Sequence, residues 1–114
     1  EICYSRLLTN YGKIHMTRFN DVRNWAEDRN LVVGSNPQAQ FVKLIEEIGE
    51  LATGIAKKKE LLVMDGIGDA MVVLTIIAAQ YHTTPEECLE IAWNEIKDRK
   101  GKMIDGVFVK EADL

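Results

Sequence analysis

Five acidic residues stand out by type and spacing. Glu46-Glu47-Ile48-Gly49-Glu50 lies inside an apolar helical pattern. At about 100° per residue, Glu46, Glu47 and Glu50 fall within an arc of about 100°. Glu47 and Glu50 are neighbours at i, i+3, and like charges so placed destabilise a helix. A solvated acidic face softened by Lys43 is one reading, and a site that uses the charge is the other. Downstream, Asp65-Gly66-Ile67-Gly68-Asp69 puts Asp65 and Asp69 at i, i+4. Asp is a poor mid-helix residue, and each Gly costs roughly 1 kcal/mol against Ala. This segment either begins a helix with Asp69 as its cap, or lies within one. In the second case its glycines admit a neighbouring helix and its acids point into the gap.

Two antiparallel helices joined through Lys57-Lys58-Lys59 bring both acidic faces together. Carboxylates ~4 Å apart repel by about 4 kcal/mol at an effective dielectric of 20. A hard divalent cation relieves that repulsion, and oxygen-only ligands suit Mg²⁺ or Mn²⁺. Neither His15 nor His82 is placed as a ligand, and no Glu-x-x-His pair occurs, which argues against a ferritin-like di-iron centre. A third cluster comprises Asn94, Lys97, Arg99, Lys100 and Lys102. Asn94 and Lys97, at i, i+3, either hold phosphate oxygens that a metal leaves free or serve as ordinary C-terminal helix cations.

The elements that must position these residues follow from period and punctuation. From Thr17, the residues Phe19, Val22, Trp25 and Ala26 recur at helical spacing, and Asn30 to Ser35 break the pattern. A second helix starts at Ser35 or Asn36, with Pro37 in its first turn and Gln38 completing a capping box with Ser35. Its apolar stripe runs from Phe41 to Ile55 and fades at Lys57. The third helix is predicted from about Glu60 to Tyr81. The fourth opens at Thr84-Pro85-Glu86-Glu87 and runs to about Lys100. Two apolar runs around Asp105-Gly106 predict a hairpin over Met103–Val109. The expected fold is all-α: a four- to five-helix bundle with a short C-terminal β-hairpin, in one domain over residues 17–114, with residues 1–16 as an N-terminal extension.

Composition narrows the function further. Of 114 residues, 46 % are hydrophobic, and 14 basic against 18 acidic residues leave a net charge of −4. A sequence-independent grip on a nucleic-acid polymer needs a basic face, which this balance argues against. Cys3 and Cys88 lack a zinc spacing and read as reduced cytoplasmic thiols. No apolar signal-peptide core appears before His15. The longest apolar stretch, Ala70–Ala79, falls short of the about 20 residues of a membrane span, so it reads as a buried helix. Met71–Ala79 has too few polar positions for a helix with one wet side, which predicts a homodimer or homotetramer.

At this level the chain resembles the MazG-like, all-α nucleoside triphosphate pyrophosphohydrolases. Their signature is Glu-Glu-x-x-Glu followed, after a spacer, by Glu-x-x-Asp. Glu46-Glu47-Ile48-Gly49-Glu50 matches the first half, and Ile67-Gly68-Asp69 resembles the end of the second. The tail from Asn94 to Met103, then Asp105-Gly106-Val107-Phe108-Val109, is similar to the closing segment of small, often phage-type members. The resemblance covers roughly Phe19 to Lys110. The family's remaining Glu falls at Gly66, so Asp65 is the nearest acid. The resemblance implies Mg²⁺-dependent hydrolysis of a nucleoside triphosphate to monophosphate and pyrophosphate. It implies Glu47, Glu50 and Asp69 as metal ligands, with Asp65 as a substitute fourth. Glu46 is implied to orient or deprotonate water, and Asn94, Lys97 and Lys43 to contact substrate. The competing expectations are a non-catalytic helical module that binds nucleotide or a partner through the same face, and a purely structural oligomerisation domain. The latter explains the apolar third helix but not the acids.

Overall fold

Thr17 Oγ1 accepts the Asn20 N–H at 3.2 Å and opens α1 (Arg18–Asp28). The computed structural model describes residues 17–114; the expected extension 1–16, with Cys3 and His15, lies outside them. Asn36 caps α2 (Pro37–Ala56), its Oδ1 accepting the Ala39 N–H at 2.8 Å. The expected Ser35–Gln38 box does not form, because Ser35 Oγ accepts from Gln40 Nε2 at 3.0 Å instead. Next comes α3 (Glu60–Gln80), with Asp65 to Asp69 inside it, so Asp69 is not a cap. Thr84 Oγ1 accepts the Glu87 N–H at 3.1 Å at the start of α4 (Pro85–Ile96). That helix stops short of the expected Lys100 and leaves Lys97 as its C-cap.

Three helices end without the glycine that usually marks such a stop. Asn30, Lys58 and His82 take the left-handed conformation, with φ of 58°, 56° and 60°. The next N–H of each closes a 2.9 Å bond to a carbonyl five residues back: Leu31 to Ala26, Lys59 to Gly54, Thr83 to Ala78. This is the Schellman closure, which satisfies carbonyls that the helix leaves unpaired. The Asp105-Gly106 turn, φ 49° and 82°, joins β1 (Gly101–Ile104) to β2 (Val107–Lys110) as an antiparallel hairpin. Both central residues at positive φ are what a type I′ turn requires.

α2 and α3 form an antiparallel pair whose closest approach depends on two glycines. A Cβ added at Gly66 would lie 3.0 Å from Leu51 Cα, and one at Gly54 3.1 Å from the Val63 nitrogen. Gly66 therefore admits the neighbouring helix as expected, whereas Gly68 has nothing within 4 Å and does not. On its other side α3 meets α1, where Phe19 and Val22 face Val72 and Thr75. Along α4, Pro85, Cys88, Leu89 and Ala92 line a groove with Leu74, Ile77, Ala78 and Tyr81.

The all-helical expectation with a C-terminal hairpin holds, but the helices do not close into a bundle around one core. The buried apolar side chains are Ala26, Ala70, Val73, Ile76 and Ala78, four of them on α3. Within the stretch expected to be buried, Met71 and Leu74 remain half exposed. The ten-residue apolar run also understates α3. Over 18 residues its mean hydropathy reaches 2.0, so by length and composition it could cross a membrane. Here it is the helix against which α1, α2 and α4 all pack.

Candidate metal centre

The antiparallel pairing that sets Leu51 against Gly66 brings Glu47 of α2 opposite Asp69 of α3. Glu50, one turn along α2, completes the group: a carboxylate oxygen from each of the three lies within 4.8 Å of the others. Glu47 is 8 % exposed, Asp69 half-buried and Glu50 exposed. Burial raises the Glu47 pKa above the usual carboxylate range. A hydrogen bond with Glu50 and the charges of Glu50 and Asp69 add to the rise, and Lys43 opposes it. Without a cation, Glu47 thus holds its proton to higher pH than a free carboxyl.

The donor set is oxygen only, which suits a hard cation. Ligands about Mg²⁺ at ~2.1 Å lie at most about 4.2 Å apart. The three side chains, already within 4.8 Å of one another, need only rotamer adjustment to converge on one ion.

Lys43 belongs to this constellation, its Nζ lying 4.0 Å from Glu47 Oε2 and 3.5 Å from Glu46 Oε2. Glu46 itself sits on the exposed rim, outside the three-carboxylate group. Asp65 does not join the group: it is exposed and one turn away on α3. Its expected role as a fourth ligand is not supported by this placement. Nor does the fold bring Asn94 and Lys97 to the carboxylates. Asn94 Nδ2 donates to Glu90 Oε2 at 3.4 Å, and Lys97 is the C-cap of α4, beyond the Pro85–Ala92 stretch that lies against α3.

Beside the carboxylates opens a pocket of 410 Å³. Trp25, Leu31, Val72 and Ile76 make its apolar wall, and Gln40, Lys43, Glu47 and Asp69 its polar edge. The Arg29 guanidinium lies 4.6 Å from the Trp25 ring centroid, close enough for a cation–π contact. Helical periodicity alone gives Trp25 a core position and does not single out Gln40. Gln40 was legible, because it shares a helix face with Lys43 and Glu47 at i, i+3, i+7. Trp25 was not, since its neighbours come from other helices.

No protein-family profile matches the chain, and no solved structure matches it. The chain is similar to an uncharacterised 18.2 kDa protein from the rep–hol intergenic region of Haemophilus phage HP1 (strain HP1c1). The two are 55 % identical over 62 residues, 54 % of this chain. The matched stretch spans 38 % of the phage protein's length.

Proposed function

We propose that Glu47, Glu50 and Asp69 hold Mg²⁺, or Mn²⁺ in its place, and that the chain hydrolyses nucleoside triphosphates to monophosphate and pyrophosphate. The observation that carries this reading is the meeting of three carboxylates from two helices beside a pocket with an aromatic wall and a lysine. An aromatic face and a polar edge suit a nucleobase, which stacks on the first and is bonded by the second. Bound there, the cation supplies charge neutralisation for triphosphate oxygens. Lys43 contacts phosphate in the same pocket. Glu46, on the rim, orients the water and takes its proton as the α–β anhydride bond breaks and pyrophosphate leaves. Asn94 and Lys97 reach phosphate only if α4 of a neighbouring copy delivers them. The activity is read as cytoplasmic, where nucleoside triphosphates are met and thiols stay reduced. The four-helix framework is read as the all-α pyrophosphohydrolase type on the same residues.

The test is release of pyrophosphate from a panel of ribo- and deoxyribonucleoside triphosphates with Mg²⁺. Pyrophosphate and monophosphate in equal amounts are expected. Orthophosphate as the first product, or undiminished turnover in EDTA, overturns the reading.

One observation favours a non-catalytic nucleotide- or partner-binding module instead. Position 66, where the resembled family carries a Glu, is a glycine that offers no carboxylate and is pressed against the Leu51 backbone, 3.0 Å from where a Cβ would lie. Nucleotide binding by calorimetry with no turnover of any member of the panel would establish that alternative.

A further inference from the structure

Four polar side chains line the Trp25 pocket: Gln40, Lys43, Glu47 and Asp69. Three of them are engaged elsewhere. Glu47 and Asp69 belong to the carboxylate group, and Lys43 pairs with Glu46 and Glu47. Gln40 is the neutral one, half-buried and seven residues before Glu47 on the same face of α2. Seven residues span roughly 10 Å along the helix axis, with Lys43 between the two. The order from Glu47 through Lys43 to Gln40 is that of an extended nucleotide, from its phosphates to its base.

The Gln40 amide is not free to turn. Its Nε2 donates to Ser35 Oγ at 3.0 Å, a part-buried bond across the start of α2. Ser35 is not part of the pocket lining. With the nitrogen anchored there, Oε1 is the atom left for the pocket. An amide offers donors on its nitrogen and an acceptor on its oxygen. Free to turn over, it would serve bases of either polarity; tied to Ser35, it presents the acceptor. Bases divide on this point. Cytosine and adenine carry an exocyclic amino donor where thymine, uracil and guanine carry an oxo acceptor. The amino group meets Oε1 in a hydrogen bond. An oxo group meets it lone pair to lone pair and leaves a partly buried acceptor unpaired. The carboxylates of Glu47 and Asp69 are acceptors too, so of the four only Lys43 is purely a donor.

We propose that Gln40, held by Ser35, is the specificity-determining residue of the pocket. Its preferred ligands carry an exocyclic amino group on the base: cytosine or adenine nucleotides rather than uracil, thymine or guanine nucleotides. This preference rests on the placement of the base against Trp25 proposed above, and names the class of base. Ser35 is a positioning residue, since it acts only through Gln40.

The probes are four α,β-imido nucleoside triphosphates, which resist cleavage at the α–β bond: cytidine against uridine, and adenosine against inosine. Each pair contrasts an amino with an oxo group. Calorimetry of the full chain with Mg²⁺ is expected to show the amino member binding at least about tenfold tighter in whichever pair binds better, the scale of one hydrogen bond exchanged for an unpaired acceptor. Gln40→Met is expected to remove this preference. Ser35→Ala, which frees the amide to turn over, is expected to shrink it mainly by tightening the oxo member, whereas a merely structural role for Ser35 would weaken both members alike. Should Gln40→Met lose its helical circular dichroism, Ser35→Ala decides. Equal binding of both members, tighter binding of the oxo member, or a preference that survives both substitutions overturns the proposal. Binding without preference overturns it alone and leaves the nucleotide reading standing; no binding of any of the four removes both. Discrimination without turnover of the natural triphosphates supports the proposal and removes only the catalysis.

Discussion

Glu47 is the residue on which the proposed metal binding and pH meet. Its carboxyl is held above the usual range by burial first, then by Glu50 and Asp69. A cation binds the carboxylate form, so binding expels a proton wherever the pH lies below that raised pKa. Calorimetry of Mg²⁺ binding in buffers of different ionisation enthalpy is therefore expected to show proton release, with affinity falling as pH falls through the Glu47 titration. The linkage to folding runs the other way in the absence of metal. A carboxyl with a raised folded pKa favours the fold fully below its unfolded pKa, and that contribution is lost as pH rises through the folded pKa. Glu47→Gln should thus raise the metal-free Tm at pH 8 while abolishing the stabilisation by Mg²⁺, checked by scanning fluorimetry with and without 5 mM-scale (roughly saturating) metal. Asp65, exposed and off the cluster, sets the contrast. Asp65→Asn is expected to leave Mg²⁺ affinity within about twofold, whereas Asp69→Asn and Glu50→Gln weaken it by about 10- to 100-fold, the range for lost ligands and their supports.

At the scale of elements, two glycines two positions apart on α3 carry opposite expectations. Gly66 is pressed against Leu51, and Gly68 faces open space. Ala at either position gains about 1 kcal/mol of helix propensity. At 66 the added methyl also forces the helices apart, at about 1–3 kcal/mol for overpacking. Urea denaturation is expected to show Gly68→Ala stabilised by about 1 kcal/mol and Gly66→Ala destabilised by about 1–2 kcal/mol. Equal gains at both sites would mean that α2 and α3 are not in close contact there. Lys58 offers a second check on local geometry. It ends α2 at φ 56°, a conformation that costs a residue with a Cβ roughly 1 kcal/mol and glycine almost nothing. Lys58→Gly should raise the denaturation midpoint without changing the slope of the urea transition.

The whole molecule carries more apolar surface than one chain covers. Its buried apolar residues are few and mostly small, while Phe41, Ile45, Ile55, Met64, Leu89, Trp93 and Met103 are more than half exposed. If a second copy covers part of this surface, folding and association are one equilibrium and the Tm rises with chain concentration. A rise of several degrees between 1 and 100 µM on the order of the association energy is expected, and a Tm independent of concentration would count against dimerisation-coupled stability. The placement of α4 is a matter of this same scale. It lies against α3 from Pro85 to Ala92, and Asn94 and Lys97, beyond that stretch, are not among the residues around the carboxylates of their own chain.

Much of this was determined by residues within four positions of each other. Thr17, Asn36 and Thr84 are caps because a short side-chain oxygen meets an N–H three residues on. Asp105-Gly106 is a turn because both residues tolerate positive φ. Glu47, Glu50 and Asp69 are legible as a group because like charges spaced along apolar helices are costly unless something uses them. Three things were decided only when the helices packed. Asp69 joins the group and Asp65 does not, because the approach at Gly66 fixes which side of α3 meets Glu47. Trp25 becomes a pocket wall because α1 crosses α3 beside the cluster. Asn94 and Lys97 stay apart from it because the angle at which α4 leaves α3 is set by contacts far apart in sequence, and no local spacing encodes such an angle.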